Sequence, residues 1–252
     1  MTNSPNSTRK VRMVVPCYNE AERWPADYWA ELTADPTVEW VFVDDGSADA
    51  TRSMLDRIAT QPNCSVVAHP KNKGKGEAVR TGLNHVLADG AEDLIVGFVD
   101  CDGSFTVYDV QRFIRLATDG VLRDKFDAVW SARVPLSGRE ISRSTTRSIA
   151  GRIIRRVLRF AYPALPFDTQ VGFKLFFADP ELAACLQEPF STRWFFDVEM
   201  LIRWSRHAGS TMRVWEEPLM SCLDVPRGAI NARQYRRIIG ELFTVVRTAK
   251  HK

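Results

Sequence analysis

The chain has 252 residues and a formal net charge of +3, and it is 45% hydrophobic and 26% charged. This composition is that of a globular domain, which excludes a fibrous repeat or a mostly disordered chain. Its apolar runs are far shorter than the roughly 20 residues of a membrane-spanning helix, so we expect no bilayer crossing. The polar residues 1–10 lack the apolar core of a secretory signal, and we predict a disordered tail there.

Predicted strands and helices alternate over the first 130 residues. Short β-branched and aromatic runs indicate the strands, and amphipathic segments indicate the helices. This alternation favours an α/β fold with a mainly parallel sheet, whose ligands bind beyond the carboxyl ends of the strands. In chain order we predict strand Val11–Val15, helix Glu20–Leu32, strand Glu39–Val43, a helix from a cap at Asp49 to Thr60, strand Ser65–Ala68, helix Gly76–Leu87, strand Asp93–Val99, helix Val107–Ala117 and strand Ala128–Trp130.

The second half of the chain is less regular. Its last helix carries apolar residues on one face and arginines on the other, which favours a helix packed on its own domain over one lying on a membrane. We assign residues 231–252 to this amphipathic basic helix and a short tail. In chain order we predict helix Ser142–Phe160, strand Val171–Phe177, helix Trp194–His207, strand Thr211–Trp215 and helix Asn231–Val246.

Arginines concentrate in one segment of this second half. Between Arg133 and Arg159 there are eight arginines and one acid. Composition bias explains a high arginine content but not this placement, which is typical of a surface that meets phosphate, anionic lipid or nucleic acid. One basic helical stripe is predicted because several of these residues lie mostly four apart: Arg139, Arg143, Arg147, Arg155 and Arg159.

The cysteines indicate neither a disulfide framework nor a zinc centre. They are odd in number and scattered, without a C-x-x-C pair or a Cys/His ligand spacing. Reduced thiols that behave as small hydrophobic residues are expected, which fits a cytoplasmic protein.

Two carboxylates follow the most apolar predicted strand. Asp100 and Asp102 flank Cys101 directly after Val99, and residues two apart in an extended segment point to the same side. Two negative charges this close repel each other unless a cation lies beside them. Mg²⁺ and Mn²⁺ take oxygen ligands and often share them with substrate phosphates. A metal–diphosphate site is therefore favoured over a solvated turn.

Two further motifs follow strands or begin helices. The segment Asp44-Asp45-Gly46-Ser47 suits either a tight turn with a helix cap or hydrogen bonding to a nucleotide, and the residues alone leave both readings open. The segment Asn72-Lys73-Gly74-Lys75-Gly76 precedes a helix. Its glycines let the backbone approach a ligand, and its lysines with the helix N-terminus favour anions, although a basic surface loop is the alternative.

These motifs together resemble those of a known family. With Pro16-Cys17-Tyr18-Asn19-Glu20, the chain carries P-x-Y-N-E, D-D-G-S, N-x-G-K-G and D-x-D in the order and at the separations of the inverting GT-A glycosyltransferases of family 2. Downstream, Asp168–Phe176 and Trp194–Leu201 are similar to segments of the dolichyl- and polyprenyl-phosphate glucosyl- and mannosyltransferase branch. The resemblance covers Val11 to Val246.

The resemblance implies a GT-A fold, in which a Rossmann-like, mainly parallel but mixed sheet is flanked by helices. It implies one catalytic domain over residues 11–230, with a nucleotide-sugar half at 11–130 and an acceptor half at 131–230. It further implies a nucleotide-sugar donor, with UDP-glucose favoured, and Mg²⁺ or Mn²⁺. The implied acceptor is a lipid phosphate at the cytosolic membrane face, where an anionic surface would hold the enzyme peripherally.

Site residues are carried over position by position. The nucleotide-sugar site would comprise Pro16, Tyr18, Glu20, Asp44, Asp45, Lys75, Asp100 and Asp102, the last two also holding the metal. The acceptor phosphate would meet Arg133, Arg147, Gln170 and Arg227. The catalytic candidates are Asp102, Asp168 and Asp197, and Glu199 is expected near the sugar and acceptor. Arg227 stands where relatives have a lysine, and Cys101 where they have alanine.

The acceptor decides whether a base is needed. A lipid monophosphate is already an anion at neutral pH because its second ionisation lies at about 6. A sugar or metabolite hydroxyl must instead lose a proton to a carboxylate such as Asp197 or Asp168. A soluble family 2 enzyme that glycosylates a hydroxyl is therefore the alternative. A nucleic-acid partner is not expected, because the motifs are rich in carboxylates that repel phosphates without a metal.

Overall fold

The computed structural model describes residues 10–90, 92–141, 154–160, 162–222 and 232–250. Its strands are β1 Lys10–Cys17, β2 Val38–Asp44, β3 Cys64–Ala68, β4 Leu94–Val99, β5 Ala128–Ala132, β6 Glu140–Ile141, β7 Phe173–Phe177, β8 Val214–Pro218 and β9 Ser221–Cys222. Its helices are a 3₁₀ turn at Ala21–Arg23, α1 Ala26–Thr33, α2 Thr51–Ile58, α3 Lys75–Leu87, α4 Val107–Thr118, α5 at 154–160, α6 Pro180–Cys185, α7 Phe196–His207 and α8 Ala232–Lys250.

A seven-stranded mixed sheet forms the centre, in the order β3-β2-β1-β4-β7-β5-β8, and β6 pairs separately with β9. The pairs β1–β2, β1–β4, β2–β3 and β5–β8 are parallel, whereas β7 runs antiparallel to both β4 and β5. The predicted α/β architecture with a mainly parallel, mixed sheet is confirmed. The carboxyl ends of β1, β2 and β4 meet at one edge, where P-x-Y-N-E, D-D-G-S and D-x-D follow their strands.

Apolar layers cover both faces of the sheet. Side chains of α3, α7 and α8 pack on one face around Phe98 and Phe176, and those of α1 and α4 pack on the other around Phe42 and Phe173. All six residues of β4 are buried, as expected for a strand covered on both faces. None of the helices in the described ranges is long and apolar enough to cross a membrane.

Proline accounts for two differences from the predicted elements. The helix predicted over Glu20–Leu32 is interrupted, and α1 begins only after Pro25, since proline clashes with a preceding helical turn. Strand β1 was expected to end before Pro16 but continues beyond it. Pairing with β4 ends at Val14, whereas pairing with β2 extends through Cys17. Pro16 therefore lies beyond the β1–β4 ladder, and its lack of an N–H removes no hydrogen bond from that ladder.

The second half differs more from the predictions. Of the predicted helix Ser142–Phe160, residues 154–160 are helical, and 142–153 lie outside the described residues. The predicted strand Thr211–Trp215 begins three residues too early, because β8 pairs with β5 from Val214 to Pro218. Lys10 already belongs to β1, so the predicted tail is one residue too long, and residues 1–9 are outside the description. The elements β6, α6 and β9 were not predicted.

Candidate active site

A cleft of about 230 Å³ opens at the carboxyl ends of β1, β2 and β4. The end of β1, the start of α3 and the residues after β4 form its walls. Six of the eight residues predicted to bind the nucleotide sugar line it, and Asp44 and Asp102 do not. The six are Pro16, Tyr18, Glu20, Asp45, Lys75 and Asp100.

Asp100 lies between a lysine and a glycine. The Lys75 ammonium forms an ion pair with the Asp100 carboxylate. On the other side, the Asp100 backbone N–H donates to the Gly172 carbonyl at 2.9 Å. A Cβ on Gly172 would lie against this carboxylate, within 2.7 Å of its Oδ1. The sequence therefore needs glycine at 172 to leave room for Asp100, and this glycine was not predicted to belong to the site.

Asp102 is buried beside Asp100, and Ser104 donates to its Oδ1 through the backbone N–H at 3.1 Å. Burial raises the pKa of Tyr28, and the negative charges of Asp102 and Asp100 raise it further. Both carboxylates therefore act on the same buried tyrosine.

The residues present fit a divalent ion. Asp100 and Asp102 supply oxygen donors, which Mg²⁺ and Mn²⁺ prefer, and Lys75 already places one positive charge on Asp100. Within the described ranges, no group of three or more His, Cys, Asp or Glu side chains is arranged to hold a metal alone. A site with two protein carboxylates is of the kind that substrate phosphates and water complete.

Asp45 holds the turn before α3. Its Oδ1 accepts hydrogen bonds from His69 Nδ1 at 2.7 Å and Lys73 N at 2.8 Å, and its Oδ2 accepts from Asn72 Nδ2 at 2.9 Å and Gly74 N at 2.7 Å. A carboxylate has about four lone-pair sites. Asp45 is therefore committed to the turn at residues 72–74, a contact that neither reading of the Asp44–Ser47 segment included.

Asp44 and Glu20 also have structural contacts. Asp44 is buried, and its Oδ1 accepts from Ser47 N at 3.0 Å. Glu20 is buried and forms an ion pair with Arg23. Tyr18, in contrast, is 43% exposed at the cleft, which leaves its ring accessible to a planar ligand.

Arg133 and Asp168 form a bidentate ion pair. Arg133 Nε and a terminal nitrogen donate to the two Asp168 oxygens at 2.7 and 2.8 Å, and the Arg133 backbone N–H donates at 3.1 Å. Burial by itself lowers the pKa of Arg133, but the hydrogen bonds and charge of Asp168 raise it above the ordinary value. The structure therefore joins a predicted phosphate ligand to a predicted catalytic base.

Asp197 is paired with a lysine that the sequence analysis missed. Lys174 is fully buried in β7, and its ammonium donates to Asp197 Oδ2 at 2.6 Å and to two backbone carbonyls at 2.9 Å. Gln170 Nε2 and Val198 N donate to Asp197 Oδ1 at 3.1 and 2.8 Å. Burial lowers the pKa of Lys174, while Asp197 opposes that shift. The sequence did carry a signal for this buried pair, because Lys174 stands inside an otherwise apolar predicted strand.

Glu199 supports the connection before α7. It accepts from Ser191 N and Thr192 N at 2.9 Å and from Thr192 Oγ1 at 2.8 Å, and it pairs with Arg203 at 2.6 Å. Glu199 thus joins residues 191–192 to α7, and its pairing with Arg203 is a salt bridge within the first half of that helix. Arg147 and Arg227 lie outside the described residues, so their roles stay predictions.

Comparison with known proteins identifies the chain's relatives. The model of the family described as glycosyl transferase family 2 matches residues 13–169, which is more than half of the chain. A dolichyl-phosphate β-glucosyltransferase of Trichomonas vaginalis is 29% identical over 75% of this chain and 58% of its own length. The Saccharomyces cerevisiae dolichyl-phosphate β-glucosyltransferase is 30% identical over 76% of this chain and 61% of its own. The chain thus spans about three fifths of these curated relatives.

Solved structures share the fold. Glucosyl-3-phosphoglycerate synthase from Mycobacterium tuberculosis, in complex with Mn²⁺, UDP and phosphoglyceric acid, aligns with a TM-score of 0.64 at 19% identity. The alignment covers 94% of this chain and 78% of that one. The GT-A fold implied by the sequence motifs is confirmed.

Proposed function

Because the chain belongs to glycosyltransferase family 2, we propose that it moves a hexose from a nucleotide sugar to a polyprenyl or dolichyl phosphate with inversion at the anomeric carbon. UDP-glucose is the favoured donor. The observation that carries the lipid-phosphate proposal is the engagement of both predicted bases, Asp168 and Asp197, in buried ion pairs. The named relatives act on dolichyl phosphate, which supports the same acceptor here.

The cleft between β1 and α3 is the proposed donor site. Tyr18 offers an exposed ring to the base, and Lys75 offers an ammonium to the diphosphate. The lysine stands at the N-terminus of α3, where the helix dipole also favours an anion. The Lys75 ammonium and the N-terminus of α3 would both stabilise the negative charge that develops on the leaving nucleoside diphosphate.

Asp100 and Asp102 are the proposed metal ligands. When bound, Mg²⁺ or Mn²⁺ supplies Lewis-acid stabilisation of the leaving diphosphate. The Asp100–Lys75 ion pair holds the carboxylate at the edge of the cleft, and Gly172 keeps the space behind it open. A related fold carries Mn²⁺ with UDP, which supports the choice of ion.

A phosphate acceptor suits the contacts of the predicted bases. Proton abstraction needs a carboxylate within hydrogen-bond reach of the acceptor hydroxyl. Asp197 is 3% exposed and bonded on both oxygens, and Asp168 is 5% exposed and held by Arg133. A lipid phosphate needs no base, because its oxygen is already anionic, and the task left to the protein is positioning.

The acceptor half and α8 expose large apolar side chains. Phe160 is 83% exposed, Phe243 67% and Ile239 54%. Together with the arginine segment, these residues support a peripheral association with an anionic lipid surface, which we propose is the cytosolic membrane face. Phe243→Ser is expected to weaken binding to anionic vesicles several-fold. Val121→Ser, at a side chain that is 68% exposed in the nucleotide half, is the matched control.

The decisive experiment is a transfer assay with purified protein. The donors are UDP- and GDP-sugars with Mn²⁺, and the acceptors are polyprenyl phosphate, polyprenol and a panel of sugars and small metabolites. Transfer to the phosphate and not to the alcohol is the expected result. No turnover of any donor would refute the proposal, and transfer to hydroxyl acceptors alone would favour the alternative of a soluble family 2 enzyme.

A pair of variants tests the proposed metal ligand Asp100 by calorimetry of UDP binding with Mn²⁺. Asp100→Asn is expected to lower Mn²⁺-dependent UDP binding by more than tenfold, since a charged ligand is lost. Asp127→Asn is the control, because Asp127 pairs with the exposed Arg213 at the start of β5. An equal loss of UDP affinity in Asp100→Asn and Asp127→Asn would refute the assignment of Asp100 as a metal ligand.

A further inference from the structure

Arg193, which lies outside the cleft, forms hydrogen bonds with the turn of residues 72–74 that precedes Lys75. Arg193 Nε donates to the Lys73 carbonyl at 3.1 Å, and a terminal nitrogen donates to Asn72 Oδ1 at 3.3 Å. A Cβ on Gly74 would lie 2.6 Å from Arg193 Nε, so the guanidinium packs directly on the backbone of the turn. At φ +98°, Gly74 also has a conformation that favours glycine.

Asn72 connects the two sides of this turn. Its amide nitrogen donates to Asp45 Oδ2 at 2.9 Å, while its amide oxygen accepts from Arg193. Lys73 is held the same way, since its N–H donates to Asp45 and its carbonyl accepts from Arg193. The turn is therefore clamped between a carboxylate that follows β2 and a guanidinium that precedes α7.

The last helix fixes the backbone of Arg193. Glu241 of α8 accepts from Arg193 N at 3.0 Å and from Trp194 N at 2.7 Å. Only 9% of Glu241 is exposed, and its other oxygen pairs with Arg237 at 3.1 Å. A chain of hydrogen bonds thus runs from α8 through residues 193–194 to the turn before α3.

We propose that Arg193 is a positioning residue for the nucleotide donor and that Glu241 makes α8 a structural part of the donor site. This inference rests on the proposed function, because it takes the cleft to be the donor site. Arg193 is not among the residues that line the cleft in the described structure. It acts through the turn, whose next residue is Lys75 and whose backbone begins α3.

Removal of the Arg193 side chain is expected to loosen the 72–74 turn and to lower donor affinity. Without Arg193, the 72–74 turn keeps its bonds to Asp45 and those that the Gly74 carbonyl accepts from the first turn of α3. Lys75 then loses a fixed approach to the diphosphate. Each net hydrogen bond contributes about 0.5–1.5 kcal/mol, so two bonds correspond to about a tenfold change in an equilibrium constant. The cost is expected in donor affinity, since the chemical groups that meet the donor remain.

The experiment compares Arg193→Ala, Arg193→Lys and Glu241→Gln with Arg213→Ala as the matched control. Arg213 lies just before β8, is 56% exposed and pairs with Asp127 at 3.1 Å. The readouts are the Kd for UDP with Mn²⁺ by calorimetry, and hydrogen exchange of a peptide that covers the amides of residues 73 and 74.

Arg193→Ala is expected to raise the Kd about tenfold and to speed exchange at these amides, which donate to Asp45. Glu241→Gln should shift both quantities in the same direction and by less, and Arg193→Lys should recover part of the loss. In the transfer assay, the donor KM should rise while kcat at saturating donor stays within about twofold. Arg213→Ala should leave the Kd and the exchange at 73–74 at wild-type values.

Two outcomes would overturn the inference. One is unchanged exchange in Arg193→Ala, and the other is faster exchange with unchanged UDP affinity. If Arg193→Ala does not fold, the milder Arg193→Lys and Glu241→Gln carry the same comparison. Wild-type protein that binds neither UDP nor GDP would refute the proposed function, and the exchange readout would still decide whether Arg193 holds the turn.

Discussion

Replacing Lys174 by methionine tests whether Asp197 is a structural anion or a catalytic base. Lys174 is fully buried, and Asp197 is 3% exposed. The Lys174 ammonium donates three hydrogen bonds and lies 4.4 Å from the centre of the Trp130 ring. Breaking a buried pair by removing one partner costs about 3–5 kcal/mol, because the other charge stays buried without its counterion.

The reverse substitution, Asp197→Asn, leaves the lysine without its anion and should cost a similar amount. In the double variant Lys174→Met with Asp197→Asn, no uncompensated charge remains. We therefore expect the double variant to be more stable than the sum of the two single effects, with a coupling of about 2–3 kcal/mol.

Urea unfolding measures these differences. With a slope of about 3 kcal/mol per molar urea for a chain of this size, each single variant should lower the midpoint by more than about 1 M. Asp127→Asn, which removes an exposed ion pair with Arg213 at 56% exposure, is the control and should cost less than about 1 kcal/mol. Asp197→Asn with wild-type stability and a loss of kcat of about 10²–10⁴ would refute the reasoning and identify a general base.

Three further substitutions follow from the contacts. Gly172→Ala should weaken Mn²⁺-dependent UDP binding, since the new Cβ would meet the Asp100 carboxylate, and unchanged calorimetric affinity would contradict this. Hydrogen bonds from Arg80 lower the pKa of Glu77. The resulting stability is present at neutral pH and is lost as the pH falls below the ordinary carboxyl pKa, so the urea midpoints of wild type and Glu77→Gln should converge in acid. Asp109→Ala should cost about 3 kcal/mol or more in the same unfolding assay, because this fully buried carboxylate of α4 accepts from the backbone N–H groups of Met220 and Ser221, where β8 leads into β9.

The sequence predicted the sheet but not the direction of every strand. An apolar run such as Phe173–Phe177 indicates a buried strand, and nothing in the run distinguishes a parallel from an antiparallel neighbour. The antiparallel insertion of β7 between β4 and β5 depends on the length and path of the preceding connection. The short strands β6 and β9 have two residues each, which are too few to show an alternating hydrophobic pattern.

The residues that line the cleft were predicted better than their partners. Asp100 follows a strand end and Lys75 begins a helix, so local pattern and sheet geometry bring them to one cleft. The partners of Asp168 and Asp197 come from distant segments, 35 and 23 residues away. Spacing along the chain carries no information on such pairs. The sequence therefore could not show that Arg133 and Lys174 form ion pairs with the two predicted bases.

The glycines of the turn before α3 show how closely the two halves of the chain depend on each other. We expected them to let the backbone approach a ligand, yet Gly74 packs on Arg193, and a Cβ on Gly76 would lie 2.7 Å from Phe196 Cβ. Both contacts come from the second half of the chain. The Lys75 region is thus shaped by residues more than 100 positions away, and residues 11–130 alone would lack the groups that Arg193 and Phe196 supply. The motif residues of the first half are therefore held in place by contacts from the second half, and one continuous sheet through β8 joins the two.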